Sequence, residues 1–424
     1  MKKVLIITYY WPPAGGSGVQ RWLKFSKYLP ENGWRPIIYT PENPSFQIQD
    51  KELSSEINSN TEVWKLPIWE PYSLRNKLFG YSDNSNSGII QNRNSIKNKM
   101  MNWIRGNLFI PDPKIYWVNS SVKFLIKSIQ EEKIDYIVST GPPHSMHLIA
   151  LSLKKYFPNI KWIADFRDPW SELDLLDEFY LSKRSRKKHV KLEKEVITSA
   201  DITLTVSETW AKSLKNLGAS RVELITNGFD DIDLSPKEIR QDKFIIGHYG
   251  LLNHLRNPSN LWDILNSICK KDKVFHKKLE IRLAGNIDTE VFDEIKRYPY
   301  LKSQIVNLGY LSHKDVIKEY NKVDLFLLLI FNSNSGVGNY PGKIFEYFAI
   351  KRPILAFGPE KSDTKELIIK TSSGFYYDYN TIGDLEEHIM KIYNKEIEFK
   401  FSDKIDQFNR KNLTKELVVL LNSL

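Results

Sequence analysis

The chain is 424 residues long and carries 61 Lys and Arg against 51 Asp and Glu, a net charge of +10. Its 41% hydrophobic content excludes an intrinsically disordered chain, and its length predicts two or three domains with a sizeable core. A single cysteine, Cys269, excludes an intrachain disulfide framework and fits a reducing compartment. No apolar run of about 18 residues is present to span a membrane as a helix. The opening MKKVLIITYYWPPAGG has the outline of a signal peptide. Its apolar run is short and β-branched, however, and leads into Trp11, Pro12 and Pro13 rather than a small-residue cleavage site. It reads as a first buried strand, and a cytoplasmic location is expected.

Val4–Tyr10 is that strand, followed by a Pro/Gly/Ser loop at Pro12–Gly18 and a helical pattern from near Gln20. Strand signals follow at Pro36–Thr40, Val63–Pro67, Tyr136–Thr140 and Lys161–Asp165, with a helical stretch at Met146–Tyr156 between the last two. Ile202–Val206 and Val222–Thr226 complete a first series. Short strands alternating with longer helices predict βαβ units on a parallel sheet. Ser82–Ser95, rich in Ser and Asn, reads as a loop. The polar stretch Asn227–Lys243, with Gly228 and Pro236, reads as a linker, after which the pattern restarts at Phe244–Tyr249. It continues through Glu280–Ala284, Ile305–Leu308, Asp324–Ile330, Pro353–Phe357 and Gly374–Tyr377. A last stretch, Lys404–Leu421, places Ile405, Phe408, Leu413, Leu417, Val418 and Leu421 at the spacing of one amphipathic helix. The expected fold class is α/β, with two doubly wound halves.

Ligands of open α/β sheets bind at the carboxyl ends of strands, so each strand-end loop is a candidate. In the first, Gly15, Gly16, Ser17 and Gly18 precede a helix whose free N–H groups suit an anion. A dinucleotide fingerprint would need glycine where Arg21 stands, and a plain flexible turn is the alternative. In the second, His144 and Ser145 sit between a strand and a helix; His144 is either catalytic or a ligand of substrate, or else structural. In the third, Asp165, Arg167 and Asp168 end a buried strand. The carboxylates either accept substrate hydroxyls or pair with Arg167. The first loop of the second half holds Gly250 and then Arg256, a candidate phosphate fork or an exposed arginine.

The most specific loop is Ser335–Tyr347. Small residues lead into a helix expected near Pro341, and Lys343 and Glu346 lie three apart on one face. Lysine neutralises phosphate and glutamate accepts from ribose hydroxyls; the alternative is an ordinary salt bridge. No HExxH, no cysteine cluster and no GxxxxGK[ST] occurs, so neither a metal site nor a Walker loop is expected.

Taken in order, ITYYWPPAGGSGVQR, IPDPKIYW, STGPPHSMH, WIADFRDPW, TNGFD, IGHYG, LAGN, LGYLSH and YPGKIFEYFAIKRPILAF span nearly the whole chain. Together they resemble the retaining GT-B glycosyltransferases of family 4, of the surface-polysaccharide type. The resemblance implies two Rossmann-like domains facing a cleft: residues 1–227, with the helix at 404–424 crossing back, for the acceptor, and residues 228–403 for a nucleotide-sugar donor. It implies donor contacts from Gly16, Ser17, Gly18, Gly250, Arg256, Asn286, Lys343 and Glu346. The strand-end loops and the resemblance together make His144, Asp165, Asp168, Arg256 and Lys343 the candidate catalytic residues. No cofactor is implied beyond the donor substrate. Two departures stand out. The first glutamate of the family's E-x7-E motif falls on Gly338, and the lysine five residues after Arg256 is Leu261. Lys343 would supply that missing charge.

The positive surplus concentrates in two places. Ser182–Glu195 holds seven Lys and Arg against two Glu, and Ile96, Met100, Trp103 and Ile104 form a helical apolar stripe flanked by Lys97, Lys99 and Arg105. That pairing fits peripheral contact with an anionic membrane and a lipid-linked acceptor; a solvated face is the alternative. No nucleic-acid recognition motif is visible. An epimerase-like relative that releases free nucleotide, and a non-catalytic sugar-binding relative, stay open beside transfer.

Overall fold

The computed structural model describes residues 1–46, 48–70, 96–231, 242–381 and 383–424, without the side chains of Ser17, Ile96, Lys97 and Leu175. The whole Ser82–Ser95 segment and the residues around Pro236 lie outside the described residues. The chain divides into two units, one built from Met1–Thr226 with Arg410–Leu424, the other from Asn227–Asn409.

The first unit runs β1 (Lys2–Ile7), α1 (Ser17–Tyr28), β2 (Trp34–Pro41), β3 (Glu62–Leu66), α2 (Ile96–Leu108), α3 (Trp117–Glu132), β4 (Tyr136–Gly141) and α4 (Ser145–Tyr156). It continues through β5 (Lys161–Phe166), α5 (Lys183–Ser199), β6 (Ile202–Thr205), α6 (Glu208–Leu217) and β7 (Val222–Leu224). The seven strands form a parallel sheet in the order β3-β2-β1-β4-β5-β6-β7. Alternate residues of each strand feed opposite faces, because successive side chains of a strand point to opposite sides. Leu5 and Ile7 join one buried cluster with Trp117, Leu125 and Met146; Val4 and Ile6 join the other with Trp22 and Leu23. Burial on both faces explains why these strands read as continuous apolar runs.

The second unit holds β8 (Phe244–Tyr249), α7 (Ser259–Lys271), α8 (Lys273–Lys278), β9 (Leu279–Ala284), α9 (Thr289–Lys296), β10 (Ile305–Gly309) and α10 (His313–Tyr320). Then come β11 (Leu325–Leu329), α11 (Lys343–Ile350), β12 (Ile354–Gly358), α12 (Asp363–Thr371), β13 (Gly374–Asp378) and α13 (Leu385–Tyr393). Its six strands are parallel in the order β10-β9-β8-β11-β12-β13. Leu325, Leu327 and Leu329 face one cluster, Phe326 and Leu328 the other. The expected pair of doubly wound parallel sheets is therefore present. In each, the strand order turns back once, between β1 and β4 and between β8 and β11. The loops after those strands diverge there, which makes their carboxyl ends the natural ligand positions of each unit.

The stripe at Lys404–Leu421 does not form one helix. It is a 3-10 turn, Asp403–Phe408, followed by α14 (Arg410–Asn422). Ile405 and Phe408 are buried with Phe345 and Phe348 of the second unit, whereas Leu413, Leu417 and Leu421 are buried with Trp22 and Leu23 of the first. Two cores divide one apolar pattern, and the break at Asn409 lets each half turn to its own.

Candidate functional site

In the second unit the loop after β8 is held by backbone pairing. Gly250 N–H donates to the Ala284 carbonyl at 2.7 Å, and Leu252 N–H to the carbonyl of Asn286 at 3.0 Å. Gly285 adopts φ +113°, and a Cβ there would lie 2.4 Å from the Gly250 oxygen, so only glycine permits this approach. Over Gly250 sits Lys343: a Cβ on Gly250 would stand 3.1 Å from its Nζ. Lys343 is the first residue of α11, whose N-cap, Gly342, supplies no side-chain bond to the free N–H groups. The helix therefore starts two residues beyond Pro341, which lies before the cap rather than at the first helical position. The buried Ile344, Phe345, Tyr347 and Phe348 orient α11. The Tyr347 ring stacks on Phe326 of β11 at 3.9 Å, leaving Lys343 and Glu346 on the remaining face.

Lys343 and Glu346 do not form the ordinary salt bridge that their spacing allows. Glu346 accepts instead from His313 Nε2 at 3.1 Å and from the Tyr320 hydroxyl at 2.7 Å. Burial raises the pKa of this carboxyl, but the His313 and Tyr320 hydrogen bonds and the Lys343 charge outweigh it and hold the group below the usual range. Lys343 has no hydrogen bond or ion pair among the described residues. Burial pushes its pKa down, and the nearby Arg256 charge adds to that despite Glu346. The Arg256 guanidinium carbon sits over the Phe331 ring, 3.6 Å from its centroid, its buried Nε is unpartnered, and burial lowers its pKa to about 10. His248, beneath the same loop, is lowered to about 4 by burial and by both cations, so it stays neutral. Two cations without a carboxylate partner thus flank an uncapped helix start. Gly338, where the family pattern has its first glutamate, is a buried residue of the loop before α11. Its neighbour Val337 accepts from Asp363 N–H at 2.8 Å. Position 338 itself therefore carries no carboxylate.

In the first unit Gly16, at φ +86°, is the uncapped N-cap of α1. Ser17 opens the helix, and its side chain lies outside the described residues. Arg167 ties the two switch-point loops together. It donates to the Gly18 carbonyl at 2.7 Å, to Gly141 at 3.2 Å and to Pro142. The expected pairing of Asp165 with Arg167 is not formed. Asp165 accepts from Nε and Nη2 of the buried Arg21 at 3.2 and 3.1 Å, from Trp22 Nε1 at 2.7 Å and from the Thr140 hydroxyl at 2.9 Å. A substrate hydroxyl would have to displace one of these donors. Arg21 also donates to the carbonyls of Ile225 and Thr226, so the residue that breaks the glycine pattern locks α1 to the end of β7. Asp168 lines a small cavity with Glu193, Thr205 and Trp210, and burial raises its carboxyl against the Arg167 charge.

His144 is buried and stacks on Trp170 at 4.7 Å and 5°, with neither ring nitrogen partnered. Burial holds it well below its ordinary pKa, so it is neutral. Its loop is fixed by Asp112, which accepts from both the N–H and the hydroxyl of Ser145 at 2.8 Å. Asp112, His313 and Tyr320 are the supporting groups that residue spacing does not reveal, since each acts on a partner far along the chain. Asp112 and His313 lie within IPDPKIYW and LGYLSH, whereas Tyr320 lies outside every quoted motif.

Residues 94–232 match the family model for Glycosyltransferase Family 4, and residues 230–412 match that for Glycosyl transferases group 1. The chain is a GT-B glycosyltransferase. The fold agrees over the full length. A glycosyltransferase from Rickettsia africae ESF-5 superposes with a TM-score of 0.64 at 14% identity, covering 100% of this chain and 98% of that one. Sucrose-phosphate synthase from Thermosynechococcus elongatus gives 0.64 at 12%, covering 100% and 99%. An S. aureus TarM mutant in complex with fondaparinux, alpha-GlcNAc-glycerol and UDP gives 0.58 at 12%, again covering 100% and 99%. No curated protein matches by sequence. In this glycosyltransferase no described helix is long and apolar enough to cross a membrane. Among the described residues no group of His, Cys, Asp and Glu is placed to hold a metal ion.

Proposed function

We propose that this glycosyltransferase moves a sugar, with retention of anomeric configuration, from a nucleotide-diphosphate sugar to a hydroxyl of a glycan or lipid-linked acceptor. Cell-surface polysaccharide or glycolipid assembly in the cytoplasm is the proposed setting. The observation that carries the reading is the pair Arg256 and Lys343, two cations left without a carboxylate beside Gly250 and the uncapped start of α11. A diphosphate fits both its charge and its place at a topological switch point. The UDP complex of the TarM relative supports the choice of nucleotide.

In this reading the hydroxyl attacks the anomeric carbon as the diphosphate leaves. The work of the protein is to stabilise charge developing on the leaving group, and preorganised cations do so without rearranging. Arg256, fixed on Phe331, and Lys343, fixed over Gly250, take that role, so the reading needs no metal. Gly250 and Asn286 line the same loop pair. Glu346, kept ionised by His313 and Tyr320, accepts from the ribose. In the first unit the amides of Gly16, Ser17 and Gly18 are proposed anion contacts. His144 and Asp168 are proposed substrate contacts, and Asp165 acts by holding Arg21. No side chain of the chain is assigned as a covalent nucleophile.

The test is a thermal-shift screen over nucleotide-sugars, followed by NMR of the product formed from the best donor. Stabilisation by at least one donor and a product of unchanged anomeric configuration are expected. No stabilisation by any donor, or an inverted anomer, sinks the reading. Free nucleotide with an epimerised sugar assigns the epimerase alternative instead.

A further inference from the structure

The two charged segments singled out in the sequence are brought together in the first unit. Asn107 of α2 donates to the Tyr180 carbonyl at 3.3 Å and accepts from Ser182 N–H at 2.8 Å, and Ser182 is the N-cap of α5. Gly106 permits the close approach, since a Cβ there would lie 2.6 Å from side chains of Phe179 and Leu181. Arg105 covers the Phe179 ring at 4.6 Å. The C-terminal end of α2 and the start of α5 thus meet at one stretch of the unit's surface.

Half of that surface is apolar and open. Met100 is 57% exposed, Trp103 45% and Leu108 62%. The chain then continues into an aromatic ridge: Phe109 packs edge-on against Tyr116 at 5.9 Å, and Tyr116 against Trp69 at 5.4 Å. Tyr116 and Trp69 are themselves more than half exposed. The ridge is held from beneath. Buried Glu70, next to Trp69, takes Lys114 at 2.8 Å and the Tyr9 hydroxyl at 2.9 Å. Exposed aromatic side chains on a pinned backbone are costly in water and are not side-chain packing left over from the core.

The other half is cationic. Lys183, Arg184, Lys187, Lys188, Lys191 and Lys194 of α5 are exposed and form no ion pair among the described residues. Of the basic residues on this helix, Arg186 is the one that takes Asp177. The inner face of α5 is satisfied separately through His189, which accepts from Trp170, and Glu193, which accepts from Ser171 N–H. The outer cations therefore do no structural work within the unit.

We infer that this surface seats the protein on an anionic lipid bilayer. Trp103, Leu108, Tyr116 and Trp69 enter the headgroup boundary, and the outer face of α5 lies along the lipid phosphates. Trp and Tyr suit that boundary because each carries an apolar body and a polar tip, and lysines beside them add attraction confined to about a Debye length. The inference deepens the transfer reading by naming the source of the acceptor: a hydroxyl presented at a membrane surface. A nucleic acid would use the cations but leave the apolar half without a partner.

The experiment is sedimentation of the full chain with phosphatidylcholine vesicles, with and without phosphatidylglycerol, at low and high salt. UDP thermal shift is run on the same samples. Binding only to the anionic vesicles, weakened by salt, is expected. Lys187→Glu with Lys188→Glu and Lys191→Glu lowers it by on the order of a hundredfold, and Trp103→Ser with Leu108→Ser lowers it with circular dichroism unchanged. Absence of binding to anionic vesicles, equal binding by either variant, or duplex DNA competing away the vesicle binding overturns the proposal. Vesicle binding needs no donor, so its failure with an intact UDP shift leaves the transfer reading standing.

Discussion

Lys343 is a cation that folding partly buries and leaves without a counter-charge. Such a group costs stability in the empty protein and is retained where a ligand anion completes it. Because the folded protein holds its pKa below the ordinary lysine value, the charged form is disfavoured on folding. Lys343→Met therefore raises the stability of the unliganded protein by about 0.5–1 kcal/mol and weakens nucleotide-sugar binding tenfold or more. Melting with and without ligand checks both signs; a destabilised variant with an undiminished ligand shift refutes the assignment. At this scale the residue spacing already placed Lys343 and Glu346 on one helix face. It did not show that Glu346 is taken by His313 and Tyr320, because those donors come from an element 33 and 26 residues away. For the same reason Asp165 looked like a partner for its neighbour Arg167 and is in fact the partner of Arg21, 144 residues earlier.

At the scale of elements, periodicity identified strands and helices well and continuity less well. Apolar residues at Ile405, Phe408, Leu413, Leu417 and Leu421 keep helical spacing across a joint, since each half was shaped by the core it fills. The consequence is separable. Leu417 is fully buried against the first unit's core, so Leu417→Ala costs about 2–5 kcal/mol and lowers only the melting transition of that unit. Scanning calorimetry should show one transition moving and the other unchanged; equal shifts in both would falsify this division of labour. The uncapped starts of α1 and α11 were legible as glycine-rich loops before helices. Their value as anion positions depends on Gly16 at φ +86° and on the Gly285 approach to Gly250, which are matters of backbone path.

For the whole molecule, charge and protonation are unevenly distributed. The first unit buries His147, lowered to about 3, and His189, lowered to about 4, along with His144; the second buries His248, lowered to about 4. Each is neutral when folded and protonates near pH 6.5 when unfolded, so the unfolded state binds more protons below that pH. Stability is full above about pH 6.5 and falls by up to about 1.4 kcal/mol per pH unit per histidine on acidification, down to the folded pKa. The first unit should thus lose stability more steeply between pH 6.5 and 4.5 than the second. Urea denaturation followed at both pH values by tryptophan fluorescence and by proteolysis of each unit checks this, and a shallower loss in the first unit contradicts it.

The sequence by itself determined the α/β class, the restart of the pattern at Phe244, the candidate loops and the two basic segments. All of these are written in local spacing, which strands and helices read directly. Only the tertiary structure decided which charges are satisfied. It gave Asp165 to Arg21 and Glu346 to His313 and Tyr320, and left Arg256 and Lys343 without a carboxylate. It also joined α2 to α5 through Asn107. Partnership between charges is set by what lies opposite in space, and the fold brings together residues 26 to 144 positions apart in the chain.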